Sequence, residues 1–157
     1  MQICIFEDTR SNNFTPLTLT RPVYDLRCGN YTLLERTQLF FPSQRLLLHC
    51  KPHLADCILE DHPYASVNNF PRHDTLFING RVLADQKFKL NVGRFSKRER
   101  AFLLGDDVVA AYIAAPHIER VTSGWNRSPV DVSCFKNFPS EQIETHLVKF
   151  PWDLIHR

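Results

Sequence analysis

The chain opens on a short apolar run, Ile3-Cys4-Ile5-Phe6, which gives way at once to a long polar stretch beginning Glu7-Asp8-Thr9-Arg10. Apolar β-branched and aromatic residues ahead of a proline-punctuated loop predict a buried first strand that delivers the loop at its carboxyl end. Thr32-x-x-Glu35 then has the form of a capping box, and Leu33, Leu34, Thr37, Leu39 and Phe40 supply a helical stripe that Pro42 ends. Arg45 to Cys50 reads as the next buried strand, parallel to the first if the crossover is right-handed, as nearly all are.

Pro52 suits the first turn of a second helix with Leu54, Cys57 and Ile58 on one side, closed by His62-Pro63. After a polar loop from Asn68 to Asp74, Thr75-Leu76-Phe77-Ile78 predicts a third strand leading into Asn79-Gly80-Arg81. Its carboxyl end would lie near that of the first strand, which brings Arg81 to the same mouth. Asp85 to Gly93 fits either a short helix or an irregular crossing. Ala101 to Leu104, the turn Gly105-Asp106-Asp107, and Val108 to Ile113 read as a hairpin added at the edge of a parallel core. A short helix over Pro116 to Ser123, a loop from Trp125 to Asn137, a helix opened by Pro139-Ser140-Glu141-Gln142 with Ser140 capping, and a last strand over His146 to Phe150 complete the expectation. The architecture this predicts is α/β, with a mostly parallel sheet and an antiparallel edge hairpin. In such sheets ligands sit outside the carboxyl ends of the strands, so the stretch from Glu7 to Asn30 is the first place to look for chemistry.

A chain of 157 residues with 43% apolar positions is ordinary for one globular domain. A net charge of +2 is too small to argue for nucleic acid or a membrane surface. The one basic cluster, Arg94 to Arg100, reads as a solvated loop or helix start, or as a patch contacting an anion. No run of eighteen apolar residues and no basic-then-apolar leader occurs, and the five cysteines show no paired spacing, so a reducing cytoplasm is the expected compartment. His49, Cys50, His53 and Cys57 lack the spacing of structural zinc sites, and Cys50 and Cys57 are expected to face the core.

Two kinds of side chain carry candidate chemistry. Glu7 and Asp8 stand at the mouth of the first strand, where Asp8 could hold Mg²⁺ or could simply turn the backbone and pair with a nearby arginine. Arg10, Arg21 and Arg27 flank the loop, and their guanidinium forks suit either a phosphate guest or internal pairing with Glu7, Asp8 and Asp25. Thr18 and Thr20 offer hydroxyl donors to both arrangements.

The register Pro16-Leu17-Thr18, then Pro22, Leu26 and Gly29, with Asn79-Gly80-Arg81 and Phe150-Pro151-Trp152-Asp153-Leu154, resembles the sugar-1-phosphate nucleotidyltransferases. It looks most like a divergent branch whose members carry a left-handed β-helix downstream, similar to the N-acetylglucosamine-1-phosphate uridylyltransferases. The resemblance implies a Rossmann-like, nucleotide-diphospho-sugar transferase fold over residues 1–157, as the amino-terminal part of a longer protein that could form homo-oligomers through the missing carboxyl-terminal region. It implies attack of a sugar-1-phosphate oxygen on the α-phosphorus of a nucleoside triphosphate, with loss of pyrophosphate and with Mg²⁺ offsetting charge. On that basis Arg10 and Arg21 are the catalytic candidates, Thr18, Thr20, Arg27, Asn79 and Arg81 the substrate contacts, and Asp8 the metal ligand, with a nucleotide or sugar phosphate as partner. In the Trp152-Asp153 motif the resemblance implies an aromatic packing residue and a capping aspartate.

The departures from the signature are chemical. Its glycines fall on Asp8, Thr9 and Ser11, its arginine on Asn13, its lysine on Val23, and its metal-holding aspartate on Arg81. Those glycines admit backbone N–H groups to a triphosphate, and an arginine cannot ligate a metal. The alternative expectation is therefore a catalytically degenerate domain that binds a nucleotide or sugar phosphate or serves assembly.

Overall fold

The computed structural model describes residues 1–42, 44–94, 98–127 and 129–155. In chain order the strands are β1 (Gln2–Phe6), β2 (Arg27–Cys28), β3 (Tyr31–Thr32), β4 (Arg45–Leu48), β5 (Ser66–Val67), β6 (Thr75–Asn79), β7 (Arg100–Leu104), β8 (Asp107–Ile113) and β9 (Ser140–Gln142). The α-helices are α1 (Leu33–Phe40), α2 (Ala55–Asp61), α3 (Gln86–Gly93) and α4 (Ile118–Val121).

β1 is buried along its whole length because strands and layers surround it. β4 and β6 both pair with it in parallel, Gln2 lying opposite Arg45 on one side and Thr75 on the other. The full order is β5-β4-β1-β6-β8-β7-β9, and β2 and β3 form a separate antiparallel ribbon turned at Gly29, whose φ is +70°. Side chains alternate across a strand, so Ile3 and Ile5 face one layer and Cys4 and Phe6 the other. On the first face they join Leu46, Leu48, Leu76 and Ile78 under Leu34 of α1, Ile58 of α2 and Phe88 and Val92 of α3. On the second, Cys4, Phe6, Leu47 and Phe77 pack against Ile118 and Val121 of α4 and the rings of Trp125 and Phe135. A third cluster, with Phe14, Val23, Leu26, Leu33 and Val148, anchors the long loop after β1.

The first helix begins where its capping box predicts: Thr32 Oγ1 accepts from Glu35 N and Glu35 Oε2 from Thr32 N. The ambiguous stretch is α3, started by Asp85 Oδ1 accepting from Phe88 N. The parallel core and the β7–β8 hairpin match the sequence expectation, with one correction: β9 lies outside the hairpin, paired in parallel with β7, so the hairpin is not the edge. Ser140 to Gln142 is accordingly strand and the stretch is not a capped helix; on either side of it Pro139 O accepts from Ala101 N, and Ile143 N donates to Leu103 O. His146 to Phe150 forms no strand, only a bridge from Leu147 to Val82. Cys50 is buried as expected, whereas Cys57 is exposed, because α2 turns only Ile58 fully inward. Asp153 does cap its turn, its Oδ2 accepting from Lys149 N and Phe150 N, while Trp152 is exposed and stacks on Phe150 at 4.8 Å. Of the basic cluster, Lys97 lies outside the described residues. No helix among the described residues is long and apolar enough to cross a membrane.

Candidate functional site

From β1 the chain steps outward through β4 to β5, while β6 lies on the opposite side of β1, so the strand order reverses between β1 and β6. Open α/β sheets hold ligands at that reversal, beyond the carboxyl ends of the strands. Here the two ends are drawn together by backbone: Gly80 N donates to Phe6 O at 2.8 Å. Glycine is required at that approach, since a Cβ there would lie 3.1 Å from Tyr24 Cδ1 and 3.2 Å from both Phe6 O and Val23 Cγ1.

On either side of this junction stand the charged residues singled out in the sequence. Asp8 leaves β1, Arg81 leaves β6, and they meet as a fork: Nε donates to Oδ1 at 3.0 Å and Nη2 to Oδ2 at 2.7 Å. Arg81 Nη2 also donates to Asp107 Oδ1 at 3.1 Å, and its Nη1 to Val148 O at 3.2 Å. Asn79 locks the arrangement, its Nδ2 donating to Asp8 Oδ2 and Val108 O while its Oδ1 accepts from Arg81 N. Arg10 closes the set from outside through Nη1 to Asp107 Oδ1 at 2.8 Å. Arg81 has no solvent exposure, Asp8 and Asp107 have 5% each, and Arg10 has 51%. Two acids and two guanidinium groups thus balance within one pocket, and Arg10 is the member that reaches water.

Behind this quartet the loop is pinned by a second buried acid. Glu7 Oε1 accepts from Val23 N at 2.8 Å, and the Lys51 backbone also acts on the carboxylate. Burial pushes the Glu7 carboxyl up to about 7, against the backbone N–H of Val23 and the nearby Lys51 charge, which lower it. His49 Nδ1 accepts from Glu7 N at 3.2 Å, which places the ring proton on Nε2, 2.8 Å from Trp125 O. Thr18 is buried, its hydroxyl donating to Ser11 O, and Lys51 Nζ donates to Thr18 O.

The remaining candidates lie elsewhere. Thr20, Arg21 and Arg27 line a cavity beside α2, with Asp25, Asp61 and His62. His62 Nε2 is 3.4 Å from Asp25 Oδ1, and Arg27 Nη1 donates to Asn30 O at 3.0 Å. The structure therefore unites Asp8, Asn79 and Arg81, adds Arg10 through Asp107, and sets Thr20, Arg21 and Arg27 apart from them. The open alternatives resolve differently for each: Asp8 pairs with an arginine, though with Arg81, and Arg10 pairs with Asp107 and not with Glu7, Asp8 or Asp25. Asp107 escaped the sequence reading because Gly105-Asp106-Asp107 is explained by the turn alone. Val148 O is a backbone acceptor, which no side-chain pattern reveals.

The model of a family described as sugar nucleotidyl transferase matches residues 3–157. The chain belongs to that family. Solved structures of similar fold include a protein described as a glucose-1-phosphate thymidylyltransferase from Bacillus anthracis, in complex with a sucrose, at TM-score 0.63 and 7% identity, covering 99% of this chain and 93% of that one. CTP:phosphocholine cytidylyltransferase from Streptococcus pneumoniae aligns at 0.58 and 11% identity, covering 99% and 96%. Molybdopterin-guanine dinucleotide biosynthesis protein A from Archaeoglobus fulgidus aligns at 0.58 and 9% identity, also covering 99% and 96%. No curated protein sequence matches the chain. At such identities the likeness is one of fold, and what the site does depends on its own side chains.

Proposed function

We propose that this domain of the sugar nucleotidyl transferase family is a catalytically degenerate one, which binds a nucleotide or sugar phosphate without transferring it. The observation that carries the reading is the fully buried Arg81, whose guanidinium stands between Asp8 and Asp107 at the strand-order reversal. Nucleotidyl transfer needs charge neutralised at the α-phosphate as pyrophosphate leaves, a task that Mg²⁺ performs for such reactions. Asp8 does not fit that ion, because both of its oxygens already accept from Arg81, and a divalent cation placed there would face a buried guanidinium. Arg81 does not fit the role of phosphate contact either, having no exposed surface.

Binding keeps support where turnover loses it. Arg10 presents a half-exposed guanidinium at the mouth, and Arg21 and Arg27, with the Thr20 hydroxyl, face an open cavity. The test is calorimetric titration with nucleoside triphosphates and with sugar-1-phosphates, with and without Mg²⁺, run beside a pyrophosphate-release assay over the same panel. Binding without pyrophosphate is the expected result. Mg²⁺-dependent pyrophosphate release would overturn the reading.

A further inference from the structure

β8 carries one residue more than β7 across their pairing: Leu103 lies opposite Val108 and Phe102 opposite Ala110, so Val109 faces no residue of β7. Val109 and Ala110 both turn to the first face of the sheet. The second face therefore shows Val108 and then Ala111, three positions on instead of the two that strand alternation gives. The bulge spaces the side chains of that face apart, and Ala101, opposite Ala111, is too short to close the gap. What remains is a hollow of about 260 Å³ between the hairpin and the irregular segment after Asp131, walled by Ala101, Leu103, Val108, Val132, Phe135 and Phe138.

The aromatic walls are held in place from behind. The Phe135 ring lies 5.8 Å from those of Phe6 and Phe77 and 6.0 Å from that of Trp125, and the Arg120 guanidinium lies 5.6 Å from the centroid of Phe138. Neither ring can swing in to fill the hollow without giving up those contacts. The rim, by contrast, is polar, with Asp106 in the hairpin turn, Lys136 and the Ser140 hydroxyl. The Asp106 and Lys136 side chains form no hydrogen bond or ion pair among the described residues. Lys136 acts on Asp131 only through space, and Asp131 already accepts from Ser133 N. An apolar space with a few polar groups at its mouth is the ordinary make-up of a small-molecule site, and a volume below the roughly 300–1,000 Å³ of drug-sized ligands suits a smaller guest.

The two rim charges narrow the choice of guest. Lys136 alone would suit any apolar acid and Asp106 alone any apolar amine, but each charge repels the guest of the other. A molecule with both charges at one end and an apolar group at the other satisfies the whole rim. We infer that this hollow is a binding site for a free α-amino acid with a large apolar side chain. Its carboxylate lies on Lys136, its ammonium on Asp106, and its side chain against Phe135 and Phe138. The site goes beyond the proposed function and shares none of the charged residues on which that reading rests.

The probe is phenylalanine, titrated calorimetrically into the full chain, with backbone amide shifts mapping the site. It is expected to bind saturably and to move the amides of Leu103, Asp106, Val108 and Lys136. Three analogues each remove one part: N-acetyl-phenylalanine the cation, phenylalanine amide the anion, and glycine the apolar group. Each is expected to bind about tenfold more weakly, or worse. Lys136→Gln should weaken phenylalanine about tenfold and leave phenylalanine amide unchanged, whereas Asp106→Asn should weaken phenylalanine equally and leave N-acetyl-phenylalanine unchanged. Both side chains are exposed, so the variants keep the fold, which circular dichroism checks. Absence of saturable binding, shifts confined to residues outside the hollow, or full affinity for N-acetyl-phenylalanine or phenylalanine amide would overturn the assignment.

Discussion

With Arg81 replaced by Met, Asp8 and Asp107 would remain in a water-excluded pocket without the cation they share. Breaking a buried pair from one side costs about 3–5 kcal/mol, far more than the loss of an exposed ion pair. Arg81→Met is therefore expected to lower the urea midpoint sharply, whereas Arg72→Met, whose partner Glu119 is solvent-exposed, should leave it within experimental scatter. One residue earlier, Gly80→Ala sets a methyl against Phe6 O, a backbone atom that cannot swing aside, and should cost about 1–3 kcal/mol in the same measurement. Glu7 makes a prediction about pH. Its carboxyl ionises at about 7 in the fold and near 4.5 without it, so the folded state holds the proton more tightly across that window. Stability from this group is complete below the lower value and declines as pH rises towards 7. Glu7→Gln should flatten that slope in thermal melts taken between the two values.

At the scale of elements, the best-read segment is α1, because a capping box is a local device: both of its hydrogen bonds lie within four residues. Thr32→Ala should cost about 1 kcal/mol, seen as a lower thermal midpoint. β1 and β6 were equally legible, since strands covered on both faces show as unbroken apolar runs. What misled was short and non-local. Ser140 to Gln142 follows a proline and begins with a capping residue type, yet its conformation is set by β7, a partner forty residues upstream, through Arg100–Glu141 and the bonds between Gln142 and Gly105. Three residues hold too little periodicity to announce a strand. The stretch from Trp125 to Asn137 was legible as irregular but not as buried; its Trp125 and Phe135 close a sheet face, and irregular segments give no periodic sign of the side they bury.

For the whole molecule, the residue types at the site could be read from the sequence and their grouping could not. Asp8 and Arg81 are joined because β1 and β6 are neighbours in the sheet, and Arg21 is parted from them because its loop folds towards α2. The first fact depends on strand order and the second on the path of an irregular loop, and one sequence displays neither. The arrangement also predicts a response to metal: if a guanidinium stands where a divalent ion would, Mg²⁺ at millimolar concentration should not raise the thermal midpoint, because only a ligand that prefers the native state stabilises it. A concentration-dependent rise would contradict this.

The shared pocket of Asp8, Arg81 and Asp107 also constrains inheritance. An acid arriving alone at position 81 would gather three like charges in a medium that screens them poorly, and a neutral residue arriving alone would strand two. Viable change at these three positions must come in compensated sets, so the coupling between 8 and 81 in a double-mutant cycle should be large and favourable. An acid at 81 could settle there only together with a change at 8 or 107 that restores the balance of charge, so folding sets the order in which these positions can vary.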